Sequence, residues 1–134
     1  HDVLNTDDEL LGPVRSQDAI TRAAYTVVRD IHARAVVCYS HTGTTARFMA
    51  RHRPWVPILA LTPFTDVARR MMMSYATHPT VVKNVETFAE AVEVAVATAK
   101  DQGIAEVGDK LVLTAGVPFG KAGTTNILRV AEVV

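Results

Sequence analysis

The chain has 134 residues, 49% of them apolar, and its 14 Lys plus Arg are balanced by 14 Asp plus Glu. That length suits one globular domain with a normal core, and the composition is that of a folded chain and not a disordered one. Zero net charge argues against a nucleic-acid partner, no apolar run reaches the roughly 20 residues that span a membrane, and a single cysteine, Cys38, excludes an internal disulfide framework and suits a reducing cytoplasm.

Residues 1–15, "HDVLNTDDELLGPVR", have no sustained period and contain Gly12-Pro13, so they read as a linker. The acidic cluster Asp7, Asp8 and Glu9 within it reads as solvated. The chain opens on His1 and not on Met, and the simplest expectation is a piece of a longer polypeptide. Residues 16–134 then read as one domain. Ser16 is placed to N-cap a helix whose apolar face holds Ile20, Ala23, Ala24, Val27, Val28 and Ile31. "AVVCY" (Ala35–Tyr39) is a short β-branched run, expected as a strand buried on both faces. A short helix over 45–53 follows and closes at Pro54. "PILAL" (Pro57–Leu61) is a second buried strand, followed by a helix over 65–75. Pro79 precedes a brief strand, Thr80–Val82. The longest helix runs from Thr87 to Gln102, with Phe88, Val92, Ala95, Val96 and Ala99 on one stripe and Gly103 at its C-terminal cap. Gly108-Asp109 turns into the strand Lys110–Ala115. The glycine-rich Gly116–Thr125 leads to a final strand, Asn126–Val134.

Strands alternating with helices imply βαβ crossovers and a mostly parallel sheet covered on both faces, a three-layer α/β/α arrangement. The last two strands are joined by too short a loop for a crossover helix, so they are expected to run antiparallel. In such sheets ligands sit beyond the C-terminal ends of the strands, next to helix N-termini. Ser40-His41-Thr42-Gly43-Thr44-Thr45 occupies that place after the first strand. A helix start offers unpaired backbone N–H groups and about half a positive charge. Gly43 lets the backbone approach a ligand, and the hydroxyls of Ser40, Thr42, Thr44 and Thr45 add uncharged donors, so the loop reads as a phosphate cradle. A plain N-cap by Thr44 or Thr45 is the alternative, although one cap accounts for one hydroxyl and not four.

Sharper motifs fail. Gly116 to Ala122 gives G-x-x-x-G-K-A, one residue short of a P-loop and lacking its metal-binding hydroxyl. The Cys38–Arg47 spacing is too long for a cysteine phosphatase loop, and Cys38 is expected to behave as a small core hydrophobe. No G-x-G-x-x-G is present. His1, His32, His41, His52 and His78 form no metal-ligand spacing; His41 lies in the loop and the others are expected at the surface. Met71-Met72-Met73 reads as gap-filling core or interface, Trp55 as a packing anchor, and Arg51, His52 and Arg53 as a solvated helix end. No catalytic motif is recognisable, which leaves a stand-alone phosphatase or transferase without a nucleophile–base pair.

Three stretches together resemble the C-terminal domain of pyruvate kinase: "ARAVVCYSHTGTTARFMARHRPWVPILALTP" (Ala33–Pro63), "VGDKLVLTAGVPFGKAGTTN" (Val107–Asn126) and the ending "NILRVAEVV". The resemblance covers residues 16–134. It implies a three-layer domain with a five-stranded mixed sheet whose last strand is antiparallel. It also implies that chemistry, with magnesium and potassium, belongs to an upstream barrel. No cofactor is then expected in this domain, which would bind a phosphorylated allosteric effector and help to build a homotetramer. By position the effector residues would be Ser40, His41, Thr42, Gly43 and Thr45, with Thr44 where some relatives carry an arginine. Lys121 is the only cation of the closing loop. The residues that hold a second sugar phosphate in some relatives fall at Asn84 and Ala91, so a monophosphate, such as a sugar monophosphate or AMP, fits better than a bisphosphate. The alternative is a purely structural oligomerisation domain with a vestigial loop.

Overall fold

The computed structural model describes residues 18–52, 55–115 and 127–134. Ser16, the acidic cluster at 7–9, Pro54 and the whole of Gly116–Asn126, Lys121 included, lie outside the described residues. Five strands form one sheet: β1 (Ala35–Tyr39), β2 (Ile58–Thr62), β3 (Thr77–Val81), β4 (Lys110–Ala115) and β5 (Ile127–Glu132). Their order is β3-β2-β1-β4-β5. The first four are parallel and β5 runs antiparallel to β4, as expected. The helices are α1 (residues 18–31), α2 (Thr44–Arg51), α3 (Thr65–Met71) and α4 (Phe88–Asp101).

The central strand shows why the architecture is layered. All five residues of β1 are buried, and alternation sends them to opposite faces. Ala35, Val37 and Tyr39 join Leu59, Leu61, Leu111 and Leu113 against the alanine stripe Ala91, Ala95 and Ala99 of α4. Val36 and Cys38 join Ile58, Ala60 and Val112 against α1, α2 and α3 on the other side. Each fully buried leucine contributes about 2 kcal/mol by leaving water. The small side chains at every fourth position of α4 let that one helix lie close over the centre of its face.

Several boundaries differ from the sequence reading. In α1 the buried positions are Thr21, Ala24 and Val28, whereas Ala23 is exposed, so the stripe is rotated. Helix α3 ends at Met71. Met71 fills core space, but Met72 and Met73 stand exposed in the turn that follows. Strand β3 begins three residues earlier than expected and passes through Pro79. An edge strand pairs on one side only, so a residue without an N–H is tolerated there. Trp55 does not anchor its loop by burial: it is 65% exposed, with its ring 6.4 Å from that of Tyr25. Cys38 is core as expected, and burial pushes its thiol up to about 12. His32 and His78 are exposed; His52 is exposed too, and reaches back to Asp18 of α1 at 3.3 Å.

Candidate functional site

The loop after β1 opens at the C-terminal end of the central strand. Ser40 N donates to the Leu61 carbonyl of β2 at 2.9 Å, which pins the loop to the sheet. Gly43 then turns the chain into α2 with φ of 81°, the left-handed region in which a side chain costs about 1–2 kcal/mol. Space demands glycine here as well, because a Cβ would lie 3.2 Å from Met71 Cγ and Sδ. The left-handed residue was legible as "Gly43"; the thioether behind it was not.

The hydroxyls are held in a definite arrangement. Ser40 Oγ accepts two backbone N–H groups, from Gly43 at 2.9 Å and from Thr42 at 3.2 Å. Thr42 Oγ1 accepts from Thr44 N at 3.3 Å and lies 2.9 Å from Thr44 Oγ1. Arg47 donates to Thr44 Oγ1 at 3.5 Å. Several hydroxyls thus organise the turn themselves, and a single N-cap does not describe them. No side-chain cap closes α2. The arrangement fixes polarity. A hydroxyl whose lone pairs both receive N–H groups keeps only its proton to offer. Ser40 is therefore a donor towards anything beyond the loop. The Thr42–Thr44 pair retains one such proton whichever of the two donates to the other.

The remaining predicted residues fall apart into two directions. Thr45 is buried, on the core side of α2 beside Ala46, Met49 and Ala50. His41 turns towards the segment that precedes α4: its Nε2 lies 3.2 Å from Asn84 Oδ1, a contact that takes its proton on Nε2. Tyr39 completes that cluster, donating to Asn84 Oδ1 at 3.2 Å and accepting from Val85 N at 3.1 Å. Burial raises the Tyr39 phenol above its ordinary value. Phe64 meets the His41 ring edge-on, with centroids 5.2 Å apart. Asn84 thus abuts the loop, while Ala91 is buried in the core. No local signal links His41 to Asn84, which lies 43 positions further along the chain.

Helix α2 carries a further row that the sequence reading passed over. Thr44, Arg47, Phe48 and Arg51 fall at i, i+3, i+4 and i+7, one face of the helix, and they line a groove with Ser74 and Tyr75. Among the described residues no three His, Cys, Asp or Glu side chains converge as a metal site, and no helix is long and apolar enough to cross a membrane.

Comparison with known proteins places this geometry. The family model described as pyruvate kinase, alpha/beta domain, matches residues 18–131. The chain is 37% identical over 118 residues to the pyruvate kinase of Methylorubrum extorquens, and 36% identical over 118 residues to that of Clostridium acetobutylicum. In both cases 88% of this chain is covered, and the chain spans about a quarter (25%) of the relative's length. Among solved structures, a pyruvate kinase from Cryptosporidium parvum superposes with a TM-score of 0.80 at 24% identity, over 88% of this chain and 23% of that one, a likeness of fold. The chain belongs to the pyruvate kinase alpha/beta domain family.

Proposed function

We propose that this chain is a regulatory, non-catalytic domain of a cytoplasmic pyruvate kinase, with residues 16–134 as the domain and 1–15 as its linker. Its loop Ser40–Thr44 would bind the phosphate of a small effector and bias a homotetramer in which an upstream barrel transfers phosphate with magnesium and potassium. The observation that supports this reading is the forced polarity of Ser40. Two amides occupy its oxygen, so its proton, with one from the Thr42–Thr44 pair, has no acceptor within the loop and is available as an uncharged donor. Donors without competing acceptors suit an anion. Lys121 would add charge from the closing loop. With Ala91 buried and Asn84 engaged by Tyr39 and His41, the family's second clamp is not reproduced, so the loop takes one phosphate, as of a sugar monophosphate or AMP. Regulation is then linkage: a ligand that prefers one arrangement shifts the population, typically by about 1–3 kcal/mol.

Titration calorimetry of the chain against sugar monophosphates and AMP tests this. Saturable heat is expected, lost in Ser40→Ala with the fold intact by circular dichroism. No phosphotransfer between phosphoenolpyruvate and ADP is expected from this chain alone. The second reading, a structural oligomerisation domain, is favoured by one observation: the amides of Thr42, Gly43 and Thr44 already have acceptors inside the loop. It predicts no saturable heat from any phosphorylated ligand.

A further inference from the structure

We propose that the effector carries a second anionic group, and that the groove along α2, lined by Arg47 and Arg51, receives it. This inference rests on the phosphate-loop reading above and extends it in the direction away from Asn84 and Ala91. The groove has a volume of about 510 Å3 and begins at Thr44, which belongs to both the loop and the groove. Its lining comprises Thr44, Arg47, Phe48, Ala50, Arg51, Ser74 and Tyr75, with no acidic side chain among them.

The lining gathers two guanidinium groups on one helical face. Elsewhere in the described residues, Arg22, Arg29, Arg34 and Arg70 each lie against an aspartate, Asp18, Asp30, Asp109 and Asp66, while Arg129 lies over the Phe88 ring. Arg47 instead touches only a neutral hydroxyl, Thr44 Oγ1, and Arg51 lies over the Phe48 ring at 5.2 Å. Two guanidinium groups on one helical face repel each other by about as much as an opposite-charge pair at that spacing attracts, so their juxtaposition favours an anion between or above them. Four residues of helix separate them by about 6 Å along the axis. A phosphate at Ser40 and Thr42 thus has cationic partners one and two turns further along the same face. Tyr75, half exposed across the groove, forms the facing wall. The class of ligand is a phosphomonoester with a carboxylate at the far end of a short chain, which narrows the sugar monophosphates above to sugar-acid phosphates and sets AMP aside.

Two open-chain probes that differ only at that end, 6-phosphogluconate and sorbitol 6-phosphate, separate the groove from the loop by calorimetry. The carboxylate of 6-phosphogluconate should give it about a tenfold advantage, the size of one or two charge-assisted bonds at an exposed site. Arg51→Gln and Arg47→Gln should each erode that advantage and leave sorbitol 6-phosphate unchanged, while Ser40→Ala should weaken both probes. Equal affinity for the two probes, insensitive to both arginine substitutions, would overturn the groove and leave the loop standing. A Ser40→Ala variant that binds both probes as tightly as the parent chain, with the carboxylate preference intact, would do the reverse. Absence of binding by either probe would remove both.

Discussion

Helices α2 and α4 begin in contrasting ways. At the start of α4, Thr87 Oγ1 accepts from Glu90 N at 3.2 Å and donates to the Glu90 carboxylate at 3.4 Å, so the cap hydroxyl is satisfied on both counts inside the protein. At the start of α2 no side chain caps the helix. The hydroxyls there hold the turn ahead of it, and at least one proton keeps no acceptor within the loop. One helix start is closed on itself; the other is rigid but chemically open. A binding loop needs that combination, since a donor held in place before the ligand arrives loses little entropy on binding.

The largest effect that tests this contrast concerns β1, on which both helices rest. Folding raises the Cys38 thiol from 9.0 to about 12, so the folded chain keeps a proton that the unfolded chain releases. The contribution is complete below pH 9 and falls as pH rises towards 12, by about 1.4 kcal/mol for each unit. Urea melts between pH 9 and 10 should show that slope, and Cys38→Ala should flatten it; above pH 10 the Tyr25 and Tyr39 phenols, raised by burial, add a slope of the same sign.

Next in size is glycine replacement. Gly43→Ala should cost about 2 kcal/mol, from the left-handed backbone and the Met71 contact together. Gly103→Ala, just past the end of α4, has φ of 71° but nothing within 4 Å of a new Cβ, and should cost about 1 kcal/mol. Equal losses in chemical denaturation would mean that the thioether behind Gly43 yields freely. The smallest effect is Thr87→Ala, about 1 kcal/mol of stability with no change in phosphate affinity. Should that variant weaken anion binding as much as Ser40→Ala does, the two helix starts are not the separate devices described above.

How much of this was legible depended on range. Ala35–Tyr39 is legible to the residue because a strand buried on both faces leaves an unbroken apolar run, and Lys110–Ala115 because the Gly108-Asp109 turn marks its start. Strand β3 reads too short from sequence because Pro79 looks like a boundary, and only the sheet order reveals an edge. The stripe of α1 was misplaced because Thr21 takes a core position that hydrophobicity assigns to Ala23. At the site, the hydroxyl loop and its glycine could be read locally. Their polarity could not, because it depends on which lone pairs the amides occupy. Arg51 was legible only as a helix end; its place in a groove with Tyr75 is set by the turn after α3.

Pro79 has one more consequence. Val82 N donates to Thr62 on β2, so by alternation the nitrogen of Pro79 points away from the sheet, towards the outer margin of β3. A foreign strand seeking to lie alongside would find a missing donor in mid-run, where amyloid-like growth requires an unbroken ladder. The imino acid therefore guards this flank against templated aggregation.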